Sequence, residues 1–245
     1  MNATSWALVL AVLGATVVWI SRQGTARGAL AGLAVAVIAI LGLGPGTLLP
    51  LAVFVLGAGA LTRLGRDAKE RAGTAEPDQG RRGEAHVAAK LGLPFLLSAV
   101  ALAVDPAAGT FLRIGFAASL GAAFADTAAT EIGPLARGGA VALPSFRGVP
   151  HGTPGGVSLA GLAASLAGAS ACAVASAVSG LVPPAAWLHV AGAGFAATLF
   201  ESVLGPTPPG RALGHHGRNA AASVVAAALA CGAWTLTLAR SGPAS

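Results

Sequence analysis

The sequence predicts an all-α fold, a polytopic bundle of about eight transmembrane helices in which residues 1–245 form a single integral membrane domain. Hydrophobic residues make up 55% of the chain and charged residues 10%, whereas soluble domains are about 25% charged. The mean hydropathy is +0.75. The apolar residues also fall in runs close to the ~20 residues that a helix needs to cross a bilayer. Because these runs lack strand-like alternation, and because helices satisfy their own backbone hydrogen bonds in lipid, we expect helices.

Eight apolar runs are the expected spans, taken in chain order. The first run has no basic residue before it, which favours a retained helix over a cleaved signal peptide. The runs cover residues 3–20, 27–43, 47–64, 87–104, 108–125, 157–182, 184–204 and 220–239.

The positions of the basic residues predict the orientation of the bundle. Positively charged loops stay on the cytoplasmic side, and 13 of the 15 Lys and Arg residues belong to the odd-numbered loops. This places both termini outside and gives cytoplasmic loops near residues 65–86, 126–156 and 205–218, in what we expect to be the plasma membrane. The net charge of +6 then lies beside anionic headgroups, so we do not expect nucleic-acid binding. The odd-loop residues are Arg22, Arg27, Arg63, Arg66, Lys69, Arg71, Arg81, Arg82, Lys90, Arg137, Arg147, Arg211 and Arg218.

Two carboxylates stand at the cytoplasmic mouth of the fifth span, in the stretch "ADTAATEIGP". On a helix, Asp126, Thr127, Thr130 and Glu131 share one face. Ionisable groups at this depth usually face a bundle interior, a cavity or a pathway, and neighbouring carboxylates repel unless a cation or proton lies between them. Because nucleotide enzymes hold Mg²⁺ with one or two carboxylates and substrate phosphates, we predict that Asp126 and Glu131 are catalytic and bind Mg²⁺, with Glu201 completing the metal site. A hydrated helix end is the alternative.

A glycine-rich loop, "HGTPGGVS", leads into the sixth span. Glycines allow backbone N–H groups to turn toward one point, and a helix N-terminus favours an anion, so the loop is a candidate phosphate cradle. It lacks the lysine of a Walker A loop, and a simple turn before a helix is the alternative. The candidate residues are Gly152, Thr153, Gly155, Gly156 and Ser158.

Basic residues near these segments are candidates for neutralising phosphate charge. Lys69, Arg81 and Arg82 lie in the longest polar interval, and Arg147 precedes the glycine-rich loop. Arginine suits this task because its planar fork binds phosphate oxygens in pairs. A solvated loop is the alternative for the polar interval.

These segments together resemble the signature segments of the membrane family known as domain of unknown function 92, which includes the plant phytyl-phosphate kinase. The matching segments are "ADTAATEIG", "HGTPGGVS", the carboxylate-Ser-x-Leu-Gly segment that starts at Glu201, and Asn219 before the last span. The resemblance implies a kinase that transfers the γ-phosphate of CTP or another nucleoside triphosphate to an isoprenoid monophosphate, with Mg²⁺ as cofactor. It also implies that Thr127, Thr130, Ser202 and Asn219 belong to the nucleotide- or phosphate-binding set. The chain departs from the family at Glu201, where Asp is usual, and at Lys90, where Asn is usual.

Other functions remain open. A cytidylyltransferase would use the same nucleotide and metal but release pyrophosphate, and a prenol kinase would phosphorylate the lipid alcohol. A transporter of a small anion would need polar groups deep in the bundle, whereas the carboxylates here cluster at one face. The expected partners are an isoprenoid phosphate lipid, a nucleoside triphosphate and the membrane, and a homo-oligomer is left open.

Overall fold

The computed structural model describes residues 2–105, 108–143 and 145–241, and over these ranges it is a bundle of long helices with one short helix and a small sheet. Seven of the described helices are long and apolar enough to cross a membrane. The central helix, α6, has 24 residues and is the eighth long helix. The predicted helical membrane bundle of about eight long helices is therefore confirmed, with seven of them meeting the criteria for a membrane span. The helices are α1 (Ala3–Ile20), α2 (Ala26–Leu43), α3 (Leu48–Arg63), α4 (Arg66–Arg71), α5 (Glu84–Ala101), α6 (Gly109–Ile132), α7 (Leu159–Val178), α8 (Trp187–Leu204) and α9 (Pro208–Ser241).

Helix α6 lies at the centre of the bundle and packs against α3, α5, α7, α8 and α9. Every residue from Ile114 to Ala128 is buried. Glycines on the neighbouring helices make this close packing possible, since a Cβ at Gly168 or Gly194 would lie 3.0 Å from the backbone of α6. Small residues serve this purpose at helix contacts in membranes. Because α6 is buried, the charged side chains on its last turns lie inside the bundle.

Helix α6 continues through residues 126–132, so the first part of the interval expected as a loop near 126–156 is helical. The acidic side chains of this segment do not end the helix because basic side chains from neighbouring elements pair with them, as described below. The continuation makes the shared helical face of Asp126, Thr127 and Glu131 part of the bundle interior.

The odd-numbered loops gather at one end of the bundle and the even-numbered loops at the other. At the first end, two contacts join different loops. Gly24 forms an isolated backbone β-bridge with Arg82, and Gly65 lies so close to Leu135 that an added Cβ would meet its side chain. At the opposite end, the Arg113 guanidinium donates to the Leu43 carbonyl at 3.1 Å. The bundle therefore has one strongly basic end, in agreement with the loop pattern of the sequence. Which end faces the cytoplasm stays a prediction.

A small antiparallel sheet follows α6 and includes part of the glycine-rich loop. Its strand order is β2-β1-β3. The sequence analysis did not anticipate it, because strands of two or three residues are too short to show alternation. The strands are β1 (Ala140–Ala142), β2 (Arg147–Val149) and β3 (Gly156–Val157).

Candidate functional site

Asp126 is buried at the basic end of the bundle and is paired with a lysine from α5. The Lys90 ammonium lies 2.7 Å from Asp126 Oδ2 and donates to Thr127 Oγ1 at 2.8 Å and to the Ala123 carbonyl at 3.2 Å. Thr127 in turn donates to the Ala123 carbonyl at 3.0 Å. A buried charge needs such a partner because it has lost its water. The three contacts of Lys90 hold it firmly against the last turns of α6.

Glu131 is engaged through both of its carboxylate oxygens. Lys69, on the short helix α4, donates to Glu131 Oε2 at 2.5 Å, and Thr62, on α3, donates to Glu131 Oε1 at 2.5 Å. Lys69 also donates to the Leu61 carbonyl at 2.9 Å and to the Thr62 carbonyl at 3.0 Å, and its side chain is 1% exposed. Glu131 thereby joins α3, α4 and α6 into one unit.

Arg82 lies beside this unit and completes its positive charge. Its Nη2 donates to Thr62 Oγ1 at 3.1 Å. Burial lowers the pKa of the Arg82 guanidinium, while the charges of Glu76, Glu131 and Asp126 act in the opposite direction. Its backbone fixes the loop, since the Thr25 N–H donates to the Arg82 carbonyl and the Arg82 N–H donates to the Gln23 carbonyl. The guanidinium is thus held next to the carboxylates by a loop that is itself anchored.

Glu201, near the end of α8, forms a third ion pair that is partly buried. Arg218 Nε lies 2.7 Å from Glu201 Oε1, and Arg218 Nη1 donates to the Gly210 carbonyl at 3.2 Å. The amide of the next residue, Asn219, lies 3.1 Å from His215 Nε2. The predicted residue Glu201 therefore pairs with the residue that precedes Asn219, shortly after the kink of α9 at Gly214, where φ is 64°.

The Asp126 and Glu201 pairs belong to one electrostatic cluster. Asp126 interacts with the charges of Lys90, His215 and His86, and Glu201 interacts with those of Asp126, Arg218 and His215. His215 thus interacts electrostatically with both carboxylates. We call Asp126, Glu201, Lys90, His215 and Arg218 the charged cluster. Neighbouring carboxylates of this kind require a cation or a proton between them.

The glycine-rich loop lies against the ends of α4 and α8. Gly155, with φ of 78°, is so close to α8 that an added Cβ would be 2.7 Å from the Ser202 carbonyl, and the nearest atom to a Cβ on Gly152 is the Thr74 methyl, at 3.5 Å. The Gly156 N–H donates to the Thr153 carbonyl at 2.8 Å. Ser158 caps α7 by accepting from the Gly161 N–H at 3.1 Å. The loop is brought to the same end as the charged cluster, and its Gly156 N–H and its serine are already used by the protein.

Four other predicted residues lie at the same end without entering the buried cluster. The side chains of Arg81 and Arg147 are exposed. Thr130 is exposed and its hydroxyl donates to the Asp126 carbonyl at 3.0 Å, while Ser202 donates to the Thr198 carbonyl at 3.1 Å. The two arginines are in a position to meet a soluble anion, whereas both hydroxyls bond to their own helices.

The donor set fits a Mg²⁺ ion that relies on substrate phosphates. Over residues 2–105, 108–143 and 145–241, no three His, Cys, Asp or Glu side chains converge closely enough to hold a metal ion by themselves. Mg²⁺ in nucleotide enzymes uses one or two carboxylates together with phosphate oxygens. Asp126 and Glu201 each have one carboxylate oxygen bonded to a basic side chain. The other oxygen of each is available as a metal ligand. A metal at Glu131 would have to displace Thr62 or Lys69.

Several residues that build this site were not predicted from the sequence. Lys90, Thr62, His86 and Arg218 were not assigned to it, although Lys90 and Arg218 were counted among the loop cations. The signal for Lys90 was available, because a lysine inside an apolar run is costly and marks a functional interior. Thr62 had no such signal, since threonine is common in membrane helices and its role depends on the distant Glu131.

The fold and this site define a polytopic membrane protein with buried ion pairs at one end of its bundle. A family model described as "Integral membrane protein DUF92" matches residues 9–226, and the chain belongs to this family. The predicted family is therefore confirmed. No solved structure matches the chain.

Two curated relatives match over the same length of sequence. The "Uncharacterized membrane protein sll0875" of Synechocystis is 36% identical over 163 residues, which cover 66% of this chain and 62% of that protein. The "Protein VTE6, chloroplastic" of Arabidopsis thaliana is 33% identical over 163 residues, which cover 65% of this chain and 48% of that protein. The matched region thus spans about half to three fifths of the relatives.

Proposed function

We propose that this protein is a membrane-embedded kinase that transfers the γ-phosphate of CTP or another nucleoside triphosphate to an isoprenoid monophosphate, giving the diphosphate. The observation that carries the proposal is the gathering of buried cations and carboxylates beside the glycine-rich loop, at the basic end of the bundle. The resemblance of these same segments to the family of the phytyl-phosphate kinase gives the reaction class.

The reaction asks little covalent work of the protein. An oxygen of the lipid phosphate forms a bond to the γ-phosphorus while the bond from that phosphorus to the β–γ bridging oxygen breaks, and the nucleoside diphosphate leaves. Catalysis of such a transfer depends on positioning and on neutralising charge. The lipid phosphate is already an anion near neutral pH, so the step needs no general base.

The residues of the site supply both requirements. Lys90 and Arg82 neutralise the accepting phosphate on the α5 side, and Arg218 acts on the α8–α9 side, where the glycine-rich loop meets Ser202. Asp126 and Glu201 would hold Mg²⁺, which withdraws charge from the phosphate oxygens when bound. For Glu131, whose oxygens are both bonded, we propose a positioning role through Lys69 and Thr62.

The exposed cations and the loop would receive the soluble nucleotide. Arg81 and Arg147 are exposed at the same end, and arginine binds phosphate oxygens in pairs. Under this proposal the nucleotide enters from the cytoplasm, and the cell membrane houses the lipid.

The test uses purified protein in detergent with Mg²⁺, a panel of prenols and prenyl monophosphates, and CTP, ATP or GTP carrying label at either the α- or the γ-phosphate. A kinase moves only the γ-label into a prenyl diphosphate. Transfer of the α-label with release of pyrophosphate would indicate a cytidylyltransferase, and γ-label in a prenyl monophosphate would indicate a prenol kinase. Absence of any transfer, combined with nucleotide-independent anion flux in proteoliposomes, would contradict the proposal and favour a transporter.

A further inference from the structure

A long apolar cavity runs from the charged end of the bundle into its interior, between helices α1, α2, α3 and α5. Its volume is about 520 Å³. Along α3 its lining extends from Arg63 to Leu48, which is ~23 Å at 1.5 Å per residue. Along α2 it extends from Gly28 to Ala36, or ~12 Å. The cavity is therefore elongated and parallel to the helices.

The two ends of this cavity differ in chemistry. Four Lys and Arg side chains line it at the basic end, and no carboxylate occurs among its lining residues in the described part of the chain. The remainder is lined by Ala, Gly, Leu, Val and Phe. The four cations are Arg22, Arg63, Arg82 and Lys90. A ligand that matches this distribution has an anionic head and a single apolar tail.

Two buried polar atoms at the basic end have no hydrogen-bond partner among the described residues. They are Gln23 Oε1 and His86 Nε2, and both residues line the cavity. A buried polar atom without a partner is costly and rare in folded proteins. His86 Nε2 can donate to a phosphate oxygen, and a rotation of the Gln23 amide brings its NH₂ group to the same side. These atoms mark the head of the cavity as the place for a polar group that the protein does not supply.

We infer that this cavity holds the prenyl chain of the accepting lipid, with its phosphate at Arg82, His86 and Lys90, and that its depth selects chains of medium length. The inference rests on the proposed function. With about 30 Å³ for each water-sized group, the cavity of 520 Å³ holds about seventeen carbon atoms. That capacity is close to a single prenyl chain of medium length and far below that of an undecaprenyl chain or the two chains of a phospholipid. Because its three N–H donors are used by Asp126, Thr127 and Ala123, Lys90 offers the lipid phosphate its charge, whereas Arg82 and His86 can donate to it.

Two glycines in the middle of the cavity offer a way to shorten it. Gly14 on α1 and Gly32 on α2 line the cavity, and a Cβ added at either position meets no atom within 4 Å. A leucine at either position would project into the cavity without a backbone clash. Gly192, on α8, is equally open but does not line the cavity, so Gly192→Leu is the matched control.

The experiment measures binding of radiolabelled geranylgeranyl monophosphate to the purified protein without nucleotide, in competition with geranyl and undecaprenyl monophosphate and with phosphatidic acid. We expect Gly32→Leu to weaken the binding of geranylgeranyl monophosphate at least tenfold and that of geranyl monophosphate less than threefold. The control variant Gly192→Leu should bind both ligands as the wild type does. Gly14→Leu should give the same pattern and serves if Gly32→Leu fails to fold. Unlabelled phosphatidic acid and undecaprenyl monophosphate should compete poorly.

Equal binding by wild type and both cavity variants would overturn the inference, as would displacement by phosphatidic acid at matching concentrations or no binding at all. The phosphotransfer assay on the same preparations separates the two proposals. Binding with the expected chain-length shift but without phosphate transfer would contradict the proposed kinase function and support the assignment of the cavity. Phosphate transfer with an unchanged chain-length profile in both glycine variants would support the kinase function and contradict the assignment of the cavity.

Discussion

At the scale of single residues, the three acidic side chains of the site, two buried and one partly buried, are distinguished by how many of their oxygens the protein occupies. Glu131 has both oxygens bonded, to Lys69 and Thr62, and its side chain is 3% exposed. Asp126 and Glu201 are each bonded to a cation through one oxygen. Because a phosphate-bridging metal needs an available oxygen, this difference separates a structural carboxylate from two candidate ligands.

The structural role of Glu131 predicts a rescue by its partner. Glu131→Gln should leave the buried Lys69 charge uncompensated and lower the free energy of unfolding by about 3–5 kcal/mol, whereas replacing both residues by apolar ones of similar size should be nearly neutral. Thermal unfolding in detergent of Glu131→Gln, Lys69→Met and the double variant Lys69→Met/Glu131→Leu checks this. A double variant no more stable than either single one would contradict the pairing.

At the scale of elements, the glycine-rich loop depends on its contact with the end of α8. Gly155 has a positive φ and no room for a side chain, whereas Gly148, on β2 in the same small sheet, has open space around it. Residues at positive φ favour glycine because a Cβ is disfavoured there. The contact is what brings the loop toward the charged cluster.

A pair of alanine substitutions tests whether this placement is needed. Gly155→Ala should displace the loop from Ser202 and reduce turnover at least tenfold, with a rise in the KM for the nucleotide. Gly148→Ala should leave both parameters within twofold of wild type. Steady-state kinetics on both variants give the comparison, and an unchanged Gly155→Ala enzyme would show that the loop does not serve the nucleotide.

At the scale of the whole molecule, the sequence could predict the helices but only part of the site. Eight apolar runs are a strong signal because lipid demands long apolar helices, and the structure contains all eight. The Lys69–Glu131 pair joins residues 62 positions apart, and no local pattern shows which cation meets which carboxylate. The role of Thr62 is likewise set by packing alone. The cavity was invisible in the sequence, since its apolar lining resembles that of any membrane helix.

The orientation of the bundle is a prediction of the basic loops and can be measured directly. The chain has two cysteines, so a cysteine-free background is accessible by replacing Cys172 and Cys231 with alanine. A membrane-impermeant thiol reagent applied to whole cells should label Asn2→Cys, and it should label Ser145→Cys only after permeabilisation. The reverse pattern would invert the topology and place the charged end outside.

The proposed site requires that the Asp126–Lys90 ion pair serves the chemistry and not only the stability of the bundle. The most direct test measures γ-phosphate transfer and the melting temperature for two variants, Asp126→Asn alone and the double variant Asp126→Asn/Lys90→Gln, against wild type. The double variant removes both buried charges, so it should recover most of the stability lost in Asp126→Asn. We predict that the double variant still transfers phosphate at least a hundredfold more slowly than wild type. Recovery of wild-type turnover together with stability would show that the pair is structural and would contradict the proposed site.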